Sequence, residues 1–400
     1  MDLVERLGRA ATLWSQGGRV FVGRDTRASG EELEEAFARG VVSAGGSAVL
    51  AGVLPTPAVA LLKLDLGVVI SASHNPPEYN GVKFFDHEGH KLSDDAEEEI
   101  EALLDTPGPG GGEIDRVDVY VDSYLEHILE RFGSDLSGLK IAVDCANGAY
   151  SEIAPEAFEQ LGAEVVTIGA EPDGLNINLG CGATDLALLQ RTVLERGCDL
   201  GVAFDGDGDR MLAVDERGNA LDGDQIIAVL ALHLGVDQVA VTVMANLGFH
   251  RLMAERGVRV HTTPVGDRYV LEALYREGAV LGGEQSGHII YLENHVTGDG
   301  LAAALALCGS LEGRTLGEAA SVMEVLPQVK ENVRVSRREV PEAVREEVER
   351  LNAGLGDAGR VLVRPSGTEP VVRVLAEATT QAEAERLCAS IAALVRHELG

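Results

Sequence analysis

Leu200-Gly-Val-Ala-Phe-Asp-Gly-Asp-Gly-Asp-Arg210 runs from an apolar, strand-like segment into three carboxylates separated by single glycines. In an extended loop, residues i, i+2 and i+4 project to the same side, so Asp205, Asp207 and Asp209 point the same way. Three like charges held this close repel strongly unless a cation sits among them. Carboxylate oxygens are hard ligands that suit Mg2+ better than a soft metal. The intervening glycines let the backbone bend around an ion at little steric cost. The stretch therefore implies a buried strand with a cation site at its carboxyl end, where ligands collect in α/β sheets.

Outward from this strand, one order of elements recurs three times. The first round has a strand-like Gly18–Gly23, a helix pattern over 31–43, a strand at 47–51 and the apolar run Leu66–Ser71. The second has Lys140–Asp144, a helix at about 152–161, Glu164–Ile168 and Leu200–Phe204. The third has Gln238–Val243, a helix at about 248–255, Arg259–His261 and Ala279–Gly282. Short buried strands alternating with amphipathic helices mean α/β units with largely parallel pairing. In each round the last strand feeds the most polar, glycine-punctuated loop, which implies three homologous domains aiming three loops at a common cleft. After about 325 the pattern changes to strand 329–335, helix 341–352, strand 371–377 and closing helix 381–398. The expected fold is α/β: three homologous mixed α/β domains with largely parallel sheets (1–135, 136–236, 237–325) plus a smaller C-terminal α+β domain (326–400). Thr106–Gly112 is a linker or a surface loop within the first domain.

Composition narrows the function. The chain has 400 residues, 45 % of them apolar, enough for several packed cores. No apolar run approaches the ~18–20 residues of a membrane span, and the charged start is unlike a signal peptide. Five scattered cysteines without a CxxC pair fit reduced thiols in a cytoplasm. A net charge of −32 argues against nucleic acid as a partner. It also means that a phosphorylated substrate needs a local cluster of arginines and backbone N–H groups.

Each polar loop has a rival reading. An EF-hand also begins Asp-x-Asp-x-Asp, with Glu216 as its twelfth residue, but its sixth position should be Gly and is Arg210. Dehalogenase-type phosphatases place Asp-x-Asp after a strand, but their fifth position is usually Thr or Val, here Asp209. In Ser71-Ala-Ser-His-Asn-Pro76, Ser73 lies just past a buried strand, where a nucleophile is held rigidly. A Ser/His triad is tempting, but adjacent Ser73 and His74 diverge along an extended chain and no GxSxG elbow is present. Beside a Mg2+ loop, Ser73 is better used to carry a phosphoryl group whose oxygens complete the metal's coordination. Lys83 is one of only five lysines. Near a metal and Arg210 its pKa is expected to fall far enough for proton transfer. Glu284, Ser286 and His288 in Gly282-Gly-Glu-Gln-Ser-Gly-His288 suit sugar hydroxyls. Arg364, Ser366, Gly367, Thr368 and Arg373 form a phosphate-binding set of guanidinium, hydroxyl and backbone donors. No Walker A motif or Rossmann fingerprint is present, so a nucleotide is not implied.

Taken together and in this order, the four loops resemble those of the α-D-phosphohexomutase family, from about residue 15 to the C-terminus. Ser71–Pro76, Pro172–Asn178 with Gly180-Cys-Gly182, Thr263–Tyr269 and Gln285 resemble its bacterial amino-sugar branch. Pro77-Glu-Tyr-Asn80 is closer to members acting on mannose and glucose phosphates. The resemblance implies a reversible phosphoryl shift between the 6- and 1-positions of a hexose, with glucosamine 6- and 1-phosphates as the implied pair. It implies a phospho-Ser73 enzyme, Mg2+ on Ser73, Asp205, Asp207 and Asp209, and a hexose 1,6-bisphosphate intermediate and activator. Arg210 would assist, Lys83 would be the general acid/base with His288 second, and Glu284, Ser286, His288 and Arg268 would hold the sugar. Arg364, Ser366, Gly367, Thr368 and Arg373 would grip the phosphate that is not reacting, with the last domain as a lid. The implied protein is a cytoplasmic monomer or homodimer. Family members usually open with a Gly-Thr-Asp-Gly-Ile-Arg-Gly-like turn whose arginine reaches the phosphoserine, and this chain starts after it. Either the start is misassigned, or the first domain lacks that edge strand and arginine, in which case a non-catalytic sugar-phosphate binder is the alternative.

Overall fold

Leu66–Ile70 and Leu200–Phe204 are buried at every residue, as strands covered by helices on both faces must be. The computed structural model describes residues 2–399 except 62–63, 118–119, 338 and 367–369. It divides into two compact units, residues 1–244 with 258–322 and residues 245–257 with 323–400. Among the described residues, no helix is long and apolar enough to cross a membrane.

The first unit contains three mixed sheets built to one plan. The first sheet runs Val82–Phe85, Leu66–Ile70, Arg19–Arg24, Ser47–Val53, Ile114–Arg116. All its pairings are parallel except that of Val82–Phe85 with Leu66–Ile70. The second runs Ala220–Leu221, Met211–Asp215, Leu200–Phe204, Lys140–Asp144, Glu164–Ile168, and the third Arg259–Thr263, Gln238–Thr242, Leu281–Gly283, Ile289–Tyr291. Both are parallel around their first strand and antiparallel beyond the third. The expected triplication and the mixed, largely parallel sheets are present.

The return strand is the detail that positions the site. In each sheet the polar loop closes an antiparallel hairpin at the carboxyl end of a buried strand. Its register sets Lys83 opposite Val69, Met211 opposite Phe204 and Ile289 opposite Gly283. Ten residues thus separate Ser73 from Lys83 in sequence, yet both belong to one hairpin.

Helices Asp2–Trp14 and Gly30–Ser43 pack against the first sheet around Val20, Val22, Phe37, Val41 and Ile70. Their backbones approach so closely that a Cβ on Gly40 would lie 2.0 Å from the Glu5 carbonyl oxygen. Thr106–Gly112 is a loop of this same body: Gly110 and Gly112 donate to Ser43 and Val42 before the chain enters the sheet at Ile114.

The second unit has an antiparallel sheet, in the order Gln328–Arg334, Val371–Ala378, Gly359–Pro365. Helices Glu342–Leu355 and Gln381–Leu399 cover it around Val344, Val361, Val374, Leu387 and Ile391. Helix Leu247–Glu255 belongs to this unit. The Asn246 side chain accepts from Gly248 N–H at its amino end and exchanges hydrogen bonds with the Leu326 backbone at 3.0 and 3.1 Å.

Candidate active site

The hairpin after Leu200–Phe204 brings Asp205, Asp207 and Asp209 together, with carboxylate oxygens all within 4.8 Å of one another. Asp205 and Asp207 are fully buried and Asp209 nearly so. Three buried carboxylates need compensating charge. Lys83 supplies part of it: its Nζ lies 2.7 Å from Asp207 and 2.9 Å from Asp209. Asp209 also faces His288 Nδ1 and Arg210 Nε, each at 3.8 Å. Thr56, at the start of helix Thr56–Leu61, donates its hydroxyl to Asp207 at 2.5 Å. One oxygen of Asp207 and one of Asp209 remain buried without a hydrogen bond. Orphaned carboxylate oxygens in a cluster of hard ligands fit a divalent cation such as Mg2+.

The cations gather on one side, and the carboxyl groups respond unequally. Burial and the repulsion of Asp209 and Asp207 push Asp205 well above the usual carboxylate range. Burial would push Asp209 the same way, but Lys83, His288 and Arg210 hold it well below that range. Lys83 is set by its two carboxylates. Burial lowers its pKa, but Asp207 and Asp209 outweigh burial and raise it above the ordinary value. In this pairing it is a held ammonium. His288 behaves similarly: burial lowers its pKa, but Asp209, Asp267 and Glu284 outweigh burial and raise it above the ordinary value.

Ser73 meets the cluster directly. Its hydroxyl donates to Asp205 at 2.7 Å. The expectation that Ser73 and His74 diverge is not met, because Ser73 turns with a φ of 51° instead of running extended. That brings His74 Nδ1 to 3.4 Å from Ser73 Oγ, while the shorter bond goes to Asp205. Glu216 is not an ion ligand either. It accepts from the Thr315 hydroxyl and Gly317 N–H, both at 3.0 Å, at the amino end of Leu316–Ala320.

The sugar-type loop is joined to the metal loop through its backbone. Met211 N–H donates to the Gly287 carbonyl at 2.9 Å, and Gly300 N–H, at the start of helix Gly300–Gly309, to the Gly208 carbonyl at 2.9 Å. Glu284 accepts from Gly266 N–H at 3.0 Å and from the Ser286 hydroxyl at 3.3 Å. A cavity of about 200 Å³ opens here, lined by Lys83, Asp209, Asp267, Arg268 and His288 among others. Arg268 spends its guanidinium on Asp94 and the Leu92 carbonyl, at 2.5 and 2.7 Å. In the second unit, Arg364 and Arg373 stand directly opposite each other on antiparallel strands. Ser366 follows, its N–H on Val371 at 2.9 Å, whereas Gly367 and Thr368 lie outside the described residues.

Sequence reasoning gave no role to Thr56 or the pair Asp25–Arg27, nor to Asn178 and Asp267 within the segments it singled out. Arg24-Asp-Thr-Arg27 at the carboxyl end of a first strand was the available signal, since that end of a parallel sheet is where ligands collect.

The four parts of the chain match four family models in order. They are phosphoglucomutase/phosphomannomutase alpha/beta/alpha domain I over 1–108, domain II over 122–218, domain III over 222–326 and the C-terminal domain over 331–394. A phosphoglucosamine mutase of Clostridium novyi is 45% identical, covering 99% of this chain and 95% of its own. One of Salinispora arenicola is 50% identical over 94% and 88%. Among solved structures, a phosphoglucomutase/phosphomannomutase family protein from Burkholderia thailandensis superposes with a TM-score of 0.84 at 26% identity, covering 96% of this chain and 91% of its own. The Aspergillus fumigatus N-acetylphosphoglucosamine mutase, solved with GlcNAc-6P and magnesium, shares the fold with a TM-score of 0.66 at 22% identity over 86% and 93%. With all four domains matched in sequence, the chain belongs to the phosphoglucomutase/phosphomannomutase family, the α-D-phosphohexomutases.

Proposed function

We propose that this enzyme moves a phosphoryl group reversibly between the 6- and 1-positions of a hexose phosphate, with Ser73 as the carrier. The observation that carries the reading is the Ser73 hydroxyl 2.7 Å from Asp205, at the edge of a buried three-carboxylate cluster. Phosphoryl transfer asks a protein mainly for positioning and charge neutralisation. In the first half-reaction the bond between phosphorus and Ser73 Oγ breaks and one to the free sugar hydroxyl oxygen forms. The sugar hydroxyl gives up a proton and Ser73 Oγ takes one. The resulting 1,6-bisphosphate reorients and returns its other phosphoryl group to Ser73 by the reverse sequence.

Asp205, Asp207 and Asp209, together with a phosphate on Ser73, would hold Mg2+. Bound there, the ion supplies Lewis-acid neutralisation of the phosphoryl oxygens. Arg210 adds fixed positive charge beside the same oxygens. Lys83 is assigned to proton exchange with the sugar and serine oxygens, because any cation sharing Asp207 and Asp209 loosens their hold on its proton. His288 is its second. Glu284 and Ser286 accept and donate hydrogen bonds to sugar hydroxyls in either orientation, with Arg268 beside them. Arg364, Ser366, Gly367, Thr368 and Arg373 take the non-reacting phosphate.

Glucosamine 6-phosphate and glucosamine 1-phosphate are the proposed substrate pair, because the relatives at 45–50% identity are phosphoglucosamine mutases. A cytoplasmic setting follows from such a metabolite. The test is a coupled assay comparing glucosamine, glucose and mannose phosphates in the presence of Mg2+ and a hexose 1,6-bisphosphate. The highest kcat/KM is expected on glucosamine phosphate. Preference for glucose or mannose phosphate would move the enzyme to another branch of its family, and binding without turnover would remove the catalytic reading.

A further inference from the structure

Ser73 has a left-handed backbone, φ 51°, which residues with a side chain adopt only when their surroundings hold them there. Its N–H donates to Ser71 Oγ at 2.8 Å. Its carbonyl accepts from Arg27 Nη2 and from Asn178 Nδ2, both at 2.9 Å. Arg27 is fully buried and reaches along the whole loop. It also binds the carbonyls of Asn75 at 2.8 Å and Tyr79 at 2.9 Å, and that of Pro76. Asp25 aims the guanidinium through Nε at 2.8 Å and accepts from Ser71 Oγ at 2.6 Å. Asp25, Ser71, Ser73 and Arg27 thereby form a closed ring of hydrogen bonds. Asn178, brought in by the second sheet's loops, repeats the grip on Ser73 and Asn75.

Turn closure alone does not call for this. The loop already has its own short-range bonds, Asn75 N–H to Ala72 and Tyr79 N–H to Pro76, at 3.0 and 3.2 Å. A single cation on four carbonyls of the segment carrying the reacting oxygen, with a second clamp from another sheet, fixes where that oxygen points.

We propose that Arg27, aimed by Asp25, and Asn178 are positioning residues for phosphoryl transfer. They lock the Ser73 backbone so that Oγ keeps one direction whether it leaves or receives the phosphoryl group. The inference rests on reading Ser73 as the phosphoryl carrier. Neither residue touches the reacting atoms, so their loss acts on the chemical step while leaving substrate binding in place.

The experiment compares wild type, Arg27→Lys and Asn178→Ala. It measures steady-state kinetics with glucosamine 6-phosphate and bisphosphate, phosphate transfer from the bisphosphate to Ser73, and thermal unfolding. Arg27→Lys keeps the charge but loses the fork. Its kcat is expected to fall about 100-fold, the scale of a 1 Å misplacement, with KM within about twofold. Asn178→Ala is expected to show the same split, less strongly, and both variants to slow phosphate transfer to Ser73 in proportion. A lowered unfolding temperature with wild-type kcat per folded molecule would overturn the proposal, as would a rise in KM alone. If Arg27→Lys does not fold, Asn178→Ala decides in the same way. Wild type that turns over without phosphate on Ser73 would sink the carrier reading itself, and the clamp with it. Phosphorylated wild type with fully active variants would sink the clamp alone.

Discussion

The metal loop and the serine loop occupy the same hairpin position in their sheets, yet they turn by different means. The metal loop places its left-handed residue at Gly208, φ 78°, where there is no side chain to strain. The space above it is filled: a Cβ there would lie 2.4 Å from the Tyr150 ring. The serine loop places Ser73 itself in the left-handed region and braces it from both sides. A loop that presents carboxylates to an ion can leave the turning to glycine. A loop that must aim one oxygen bends at the reacting residue and draws on Arg27 and Asn178 to hold it.

The largest expected effect separates the two loops by chemistry. Ser73→Ala should lower mutase kcat by at least about 10⁴-fold, as loss of a nucleophile does, in a coupled assay with bisphosphate present. Full activity in that variant would end the account of the serine loop. Next comes the metal loop. Chelation by EDTA, or Asp207→Asn, should cost roughly 10²–10³-fold, the scale of one preorganised charge-stabilising contact, and Mg2+ should restore only the chelated wild type. Activity indifferent to EDTA would contradict the ion site.

The remaining two tests read the backbones. Gly208→Ala should destabilise the protein by about 3 kcal/mol in urea unfolding, combining a left-handed alanine with a clash on Tyr150. A neutral result would show that the two loops do not differ in the way described. The serine loop should show the same preference for glycine at its own left-handed position. Ser73→Gly should be more stable than Ser73→Ala by about 1 kcal/mol, since glycine relaxes the left-handed position. Equal stability would mean that Ser73 is not strained.

What could be read in sequence follows from where these loops lie. Asp205, Asp207, Asp209, Ser73 and Glu284 each come a few residues after an apolar run, so strand ends and polar chemistry coincide on the page of the sequence. The fold was legible for the same reason, because buried strands such as Leu66–Ile70 and Leu200–Phe204 are continuous apolar runs. Arg27 had a positional signal at a strand's carboxyl end, but its partners were not legible. Asp25-Thr-Arg27 reads as a polar turn with its own ion pair, and the carbonyls it binds lie 46 to 52 residues away. Lys83 was found, but not its ion pairs, because the register that sets it on Asp207 and Asp209 exists only once the hairpin closes. The Ser73–His74 geometry was misread because sequence offers no sign of a left-handed serine.

The most direct measurement is peptide mass spectrometry of the wild-type enzyme after incubation with a hexose 1,6-bisphosphate and Mg2+, with an acid-stability check on any phosphopeptide. The account predicts an acid-stable phosphate on the peptide carrying Ser73, discharged when glucosamine 6-phosphate is added. An acid-labile phosphate on Asp205 with release of inorganic phosphate, or turnover with Ser73 unmodified throughout, would contradict it.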